Sequence, residues 1–136
     1  MLRRLIPLVA LSVAVACGSD STTQPTTASL AGTWTLQSVN GNPLPFTLQT
    51  SGTDRLDLLS DVVTASANGT YTEVLQFRTT INGQSTTQSQ SDAGTFTVNG
   101  TAVTLSSNQA GNITGALSGH TLTLTEEGFV WVFAKQ

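Results

Sequence analysis

Few side chains in this 136-residue chain carry reactive chemistry: one histidine, eight carboxylates, one cysteine and a sparse aromatic set. His120 follows Ser118-Gly119, a turn signal, so it reads as an exposed strand start. Serines are abundant, but none stands in a Gly-x-Ser-x-Gly elbow that would raise a nucleophile above a sheet. A metal site needs several nitrogen, sulfur or carboxylate ligands, and there is neither a second histidine nor a second cysteine. The chain therefore reads as a non-enzyme with no metal site and no cofactor. Glu126 and Glu127 are adjacent; in a strand they would point to opposite faces, and beside Gly128 they read as a solvated turn. Glu73 has the same parity as Tyr71, Leu75 and Phe77. As an inward carboxylate it could orient a ligand, pair with Arg55 or Arg78, or stand at a mouth in contact with solvent. Trp34, Tyr71, Phe77, Trp131 and Phe133 would either line a pocket or fill the core. The candidate ligand-binding set is Trp34, Tyr71, Glu73, Phe77 and Trp131.

Cys17 is a different case. It ends an apolar run, Leu5 to Ala16, that begins with Arg3-Arg4 and is too short to span a bilayer. With Ala14-Val15-Ala16 before it and Gly18-Ser19-Asp20 after it, the segment resembles the signal peptide of a bacterial lipoprotein. The resemblance implies removal of residues 1–16, acylation of Cys17, and attachment to a membrane through that lipid. Gly18, not Asp, follows the cysteine, which by the same resemblance implies the outer membrane, facing the periplasm, in a host with two membranes. The alternative is an ordinary secretory signal that leaves Cys17 a free thiol, which is unusual in an exported protein. Residues 17–29 hold the cysteine and a Ser/Thr-rich stretch that cannot bury enough apolar surface to offset its ordering entropy. They read as a flexible tether. Residues 30–136 form one domain, which must build its core without a disulfide. From Cys17 onward three basic side chains face eight acidic ones, a formal charge of −5. That balance excludes the basic footprint of a nucleic-acid binder.

Thr and Ser dominate the domain and amphipathic helical runs are missing, so the class is all-β. Four Asn-Gly pairs, at 40–41, 68–69, 82–83 and 99–100, are signals for type I′ hairpin turns. Between them the apolar residues alternate: Trp34 with Leu36, Phe46 with Leu48, Phe96 with Val98, Val103 with Leu105, Leu122 with Leu124. Phe129, Trp131 and Phe133 form a heavy face, and Val130 and Val132 make that last strand apolar on both sides, as a strand that is central or covered by a neighbouring segment would be. The stretch from Asp57 to Ala67 is open between a strand and a short helical turn. Gln84–Ser91 has no apolar face and reads as a solvated hairpin arm or a loop, with Gly94 marking a bulge. Ser38, Ser60 and Gly115 are small residues of inward parity that would leave room inside. The count is eight or nine short strands. A meander of that size removes its edges best as a small antiparallel up-and-down barrel, with a flattened sandwich as the alternative.

The stretch Leu30-Ala31-Gly32-Thr33-Trp34, running on to Val39-Asn40-Gly41 and Pro43-Leu44-Pro45, resembles the opening of bacterial lipocalin-like domains. Gly94-Thr95-Phe96-Thr97-Val98 and the aromatic final strand keep the same rhythm. The resemblance implies a barrel closed at one end by Trp34. It also implies a cation packed on that ring, where lipocalins use an Arg and this chain offers Lys135 or Arg78. It further implies a cavity for a small hydrophobic molecule. The expected function is a membrane-anchored lipocalin-like lipoprotein of the bacterial envelope that binds such a molecule. The alternative is a filled barrel whose surface, with the Gln84–Ser91 arm as a candidate contact, meets another envelope component.

Overall fold

The computed structural model describes residues 29–136. Cys17, the leader and residues 17–28 of the tether lie outside the described residues. Ten strands follow one another: β1 (Gly32–Val39), β2 (Asn42–Pro43), β3 (Phe46–Ser51), β4 (Asp54–Ala65), β5 (Thr70–Ile81), β6 (Gln84–Asn99), β7 (Ala102–Ser107), β8 (Gly111–Ser118), β9 (Thr121–Glu126) and β10 (Phe129–Lys135). From β4 to β10 each strand pairs antiparallel with the next, and β1 closes the circle by pairing with both β10 and β4. The result is an eight-stranded antiparallel barrel with two additional strands. The short β2 pairs with the end of β1. β3 runs along the first half of β4, and β1 takes over the same edge from Val62 to Ala65.

β10 is hydrogen-bonded to β1 on one side and β9 on the other, but this does not cover its outer face: Val130 is exposed and Val132 half-buried. The Asp57–Ala67 stretch is extended, as part of a 12-residue strand. The Gln84–Ser91 stretch is also strand, an arm paired residue by residue with β5, although its side chains are exposed. These two segments lengthen β4 and β6, and the two-residue β2 helps bring the count to ten, above the expected eight or nine.

Turn chemistry follows the Asn-Gly pairs in part. Asn40-Gly41 and Asn82-Gly83 have positive φ at both residues, as a type I′ turn requires. At Asn68-Gly69 and Asn99-Gly100 only the glycine does, so these pairs build other turns, whereas Glu127-Gly128 has positive φ at both residues without an asparagine. Gly94 is not a bulge: β5 and β6 stay in register through it. A Cβ there would lie 2.0 Å from the Ser106 carbonyl oxygen and 3.0 Å from the Tyr71 ring, so glycine is needed for close approach of strands at a barrel bend.

The core is concentrated at the end of the barrel closed by Trp34, with Leu58 buried farther up beside Phe46 and Phe77. Leu30, Trp34, Leu58, Val63, Leu105, Leu122 and Phe133 are all fully buried. Trp34 donates its indole N–H to the Leu30 carbonyl at 2.7 Å, and Lys135 places its ammonium 5.4 Å from the Trp34 ring centroid. Of the two cations the sequence offers, Lys135 takes this position. Two of the small residues expected inside are not inward. Register shifts between Leu36 and Ser38, and between Leu58 and Ser60, reverse parity and put Val39 and Asp61 into the interior instead. Gly115 does face in, but Leu124 fills its space, with Cδ2 2.9 Å from the position a Cβ would take.

Candidate functional site

Above this filled end lies a cavity of about 120 Å³. Leu75, Ile113, Leu124, Trp131 and Phe133 supply its apolar wall, and Asp61, Glu73, Asp92 and Glu126 its polar one. Each carboxylate arrives on a different strand. Glu73 follows β5 parity, two residues above Tyr71. Asp92 pairs directly opposite Glu73 on β6. Glu126 continues the inward series Leu122, Leu124 on β9. Asp61 reaches the interior only because β4 slips register between Leu58 and Ser60: it pairs with inward Leu75, whereas Asp57, four residues earlier, pairs with outward Arg78.

The electrostatics follow from this arrangement. Asp61 is 1% exposed and its Oδ1 has no hydrogen-bond partner. Burial, then the charge of Glu73, push its carboxyl up to about 9, and it shares a hydrogen bond with Glu73. Burial also raises Glu73, to about 7, while the bond from Asp61 opposes that rise. Both carboxyls are thus held toward the protonated form, and the two titrate as a pair. Glu126 is raised by burial and then by Glu127 and Asp92. Asp92 accepts bonds at Oδ2 from the Tyr71 hydroxyl (3.2 Å) and from Ser107 Oγ, but its Oδ1 has no partner. The Tyr71 phenol is pushed above its ordinary range, first by burial and then by Asp92. The Trp131 indole N–H is likewise buried and unpartnered. Buried polar groups are normally satisfied, because leaving one unpaired costs about 1–3 kcal/mol. All three such atoms found among the described residues belong to side chains that line this cavity.

Outward, the cavity meets a wider recess of about 420 Å³ formed by Leu48, Leu56, Phe77, Phe129 and Trp131 with Gln49, Gln90, Glu126 and Glu127. Gln90, Glu126 and Trp131 belong to both spaces. Phe46 packs edge-on to Phe129 (centroids 6.1 Å) and Phe129 to Trp131 (6.2 Å), so β3 brings one aromatic to the rim and β10 two. Together these residues form an eight-stranded barrel with a solid floor, an acidic chamber and an aromatic mouth.

The family model described as lipocalin-like domain matches residues 30–131. The chain belongs to the lipocalin-like domain family. No curated protein matches it. Two solved structures are similar to it. One is an uncharacterized protein from Bacteroides eggerthii DSM 20697, at 12% identity and TM-score 0.45, covering 79% of this chain and 100% of that one. The other is a lipocalin-like protein from Bacteroides uniformis ATCC 8492, at 18% identity and TM-score 0.42, covering 79% and 98%.

In this lipocalin-like domain the five candidate ligand-binding residues divide. Glu73 and Trp131 line the chamber, and Phe77 lines the mouth. Trp34 and Tyr71 do not: both are buried in the floor, where the tight barrel end leaves no space beside them. Glu73 pairs with neither Arg55 nor Arg78, because both arginines bind Asp57 on the outer face. Glu126 is not part of the solvated turn expected for Glu126-Glu127. It closes β9 facing inward, and Glu127 alone takes the turn. His120 is exposed beside the β8–β9 turn, as its position after Ser118-Gly119 implies. Asp92 and Glu126 were within reach of sequence reasoning, since each continues an inward series by period two. Asp61 was not, since its side is set by the register shift.

Proposed function

We propose that this chain is an envelope lipoprotein, tethered through acylated Cys17, whose barrel holds a small molecule with an apolar body. The observation that carries this reading is the division of the interior. One end is packed with Trp34, Tyr71 and Phe133, while the other opens through Phe77, Phe129 and Trp131 onto a chamber with unpaired buried polar atoms. A merely structural barrel gains stability by filling its interior, and four carboxylates facing an opening do the opposite. Ligand sites combine apolar walls with a few convergent polar groups, as here.

Native mass spectrometry of the mature protein, purified gently from its own host's membranes, tests the proposal. A carrier brings an added mass, beyond the acyl anchor, that departs on denaturation. A clean acylated mass counts against it.

A second reading draws on the β5–β6 arm. Residues 81–90 are all exposed, and Ile81 at its tip is 53% exposed. An interaction lipoprotein could present this arm to another envelope component. Deletion of residues 79–86 would abolish co-purification of such a component in that case and leave small-molecule binding intact in the other.

A further inference from the structure

If the barrel is a carrier, its polar wall specifies what it carries. We propose that the occupant is an amphiphilic amine, with its ammonium group seated against Asp61 and Glu73 and its apolar tail running out past Trp131 and Phe77. The proposal rests on the carrier reading and narrows it to one ligand class.

The argument begins with donors and acceptors. The chamber offers Asp61 from β4, Glu73 from β5, Asp92 from β6 and Glu126 from β9, whereas β8 and β10 supply Ile113, Trp131 and Phe133 and no charge. Among the described residues the cations are elsewhere. Arg55 and Arg78 hold Asp57 at 3.0 and 2.8 Å, and Lys135 lies over Trp34 at the floor. The wall thus has a surplus of acceptors, with Asp61 Oδ1 and Asp92 Oδ1 unpartnered against a single unpartnered donor, Trp131 Nε1. A primary ammonium is the complement: three donors, no acceptor and one positive charge. A carboxylate ligand would add charge of the wrong sign to a site already short of counter-ions. A bare metal ion fits less well, because no three of the described His, Cys, Asp or Glu side chains are grouped to hold one.

Shape supplies the rest. The chamber volume of about 120 Å³ is a little under that of a cavity of about 150 Å³ that accepts benzene. It takes a charged head and a few methylenes, and a longer apolar body must pass Trp131 into the aromatic recess. The aromatic faces there suit an alkyl or aryl chain leaving a cation.

Protons report on the seat. With Glu73 raised to about 7 and Asp61 to about 9, the pair holds a shared proton at neutral pH that an ammonium must displace. The other titratable groups facing it are Asp92, Glu126 and Tyr71, and the last two are also raised. An alkylamine stays protonated to about pH 10, as a lysine does. Amine affinity therefore rises with pH through 7 while that of a neutral analogue stays level.

The test is titration calorimetry on the mature chain, residues 17–136 with Cys17→Ser so that no acyl chain competes. The probes are octylamine, octanol and octanoate at pH 6 and pH 8. At pH 8 octylamine is expected to bind about tenfold or more tighter than octanol, with octanoate weakest. Asp61→Asn and Glu73→Gln, each checked for folding by circular dichroism, are expected to bring octylamine down to the octanol level. Octanol binding as tightly as octylamine, or octylamine indifferent to both substitutions, overturns the amine assignment and leaves the carrier reading standing. If none of the three probes binds, the amine assignment falls. If host-purified protein also shows no added mass, the carrier reading falls with it.

Discussion

Asp57 and Asp61 lie four residues apart on one strand, and both are almost fully buried, at 2% and 1% exposure. Their surroundings are opposite. Asp57 faces outward under a cover of side chains: Thr47 on β3 donates a 2.7 Å bond to Oδ1, and Arg78 and Arg55 bind Oδ2. The Thr47 hydroxyl first, and Arg78 next, hold its carboxyl below the usual range against the opposing effect of burial. Asp61 faces inward, with a like charge beside it and an oxygen without a partner, and its carboxyl is pushed up. The first arrangement fastens β3, β4 and β5 together. The second weakens the fold unless something occupies the chamber. An acid that is buried and satisfied is architecture, whereas one that is buried and unsatisfied at an opening is the group on which the proposed binding rests.

The largest stability effect calibrates both aspartates against the floor beneath them. Trp34→Ala removes the ring that closes the barrel and costs about 3–5 kcal/mol, read by urea denaturation. A much smaller loss would mean that the floor does not support the chamber. Next is Asp57→Asn, which removes the charge that two guanidinium groups pair with and leaves one acceptor oxygen where Thr47, Arg55 and Arg78 use two. Because Arg55 and Arg78 are partly exposed, the cost is discounted to about 1–3 kcal/mol. If the variant unfolds at the same urea concentration as the parent, the contrast between the two sites fails.

Asp61→Asn should do the reverse. At pH 8 it removes the cost of keeping a buried carboxyl protonated beside Glu73 and raises stability by about 1–2 kcal/mol, and the gain should shrink as pH falls and vanish below about pH 4. The sign follows from linkage. Asp61 and Glu73 are raised above their unfolded values of 3.8 and 4.5. Their contribution is therefore complete below about pH 4 and is lost as pH rises through about 7 and about 9. Asp57 is lowered, so its contribution is present above 3.8 and is lost as pH falls through its folded value. Thermal melts across pH 3–9 should show parental stability falling on both sides of a weakly acidic optimum. The alkaline fall should flatten in Asp61→Asn and the acid fall in Asp57→Asn. The smallest effect is Lys135→Gln, which removes the cation over Trp34 at a cost of about 0.5–1 kcal/mol and should leave both limbs of that profile in place.

The residues that were readable in advance share one property: their side is decided locally. Trp34, Leu36, Leu122, Leu124 and Phe133 follow period two and are buried as that pattern implies. Glu73 follows it too and faces the chamber. Ser38 and Ser60 broke the pattern because single-residue register shifts lie between them and the positions that set the parity. Glu126 was obscured by its neighbour: side by side, two glutamates suggest one solvated turn, yet β9 runs through the first of them. Tyr71 shared the parity of Glu73 and Phe77 without sharing their space, since depth along the barrel axis has no sequence period.

The sequence by itself determined the strand-and-turn rhythm, the all-β class, the closing tryptophan and a carboxylate on the inner face. Hairpin turns and alternation act over a few residues, so they are written locally. Only the tertiary structure decided that four carboxylates from four strands share one chamber, and that Asp57 and Asp61 part company. Those outcomes depend on the slip in β4 and on ring closure through β1, which bring together carboxylates up to 65 residues apart, from Asp61 to Glu126. Charges that stand alone in the extended chain acquire a common desolvation penalty only when closure excludes water from around them.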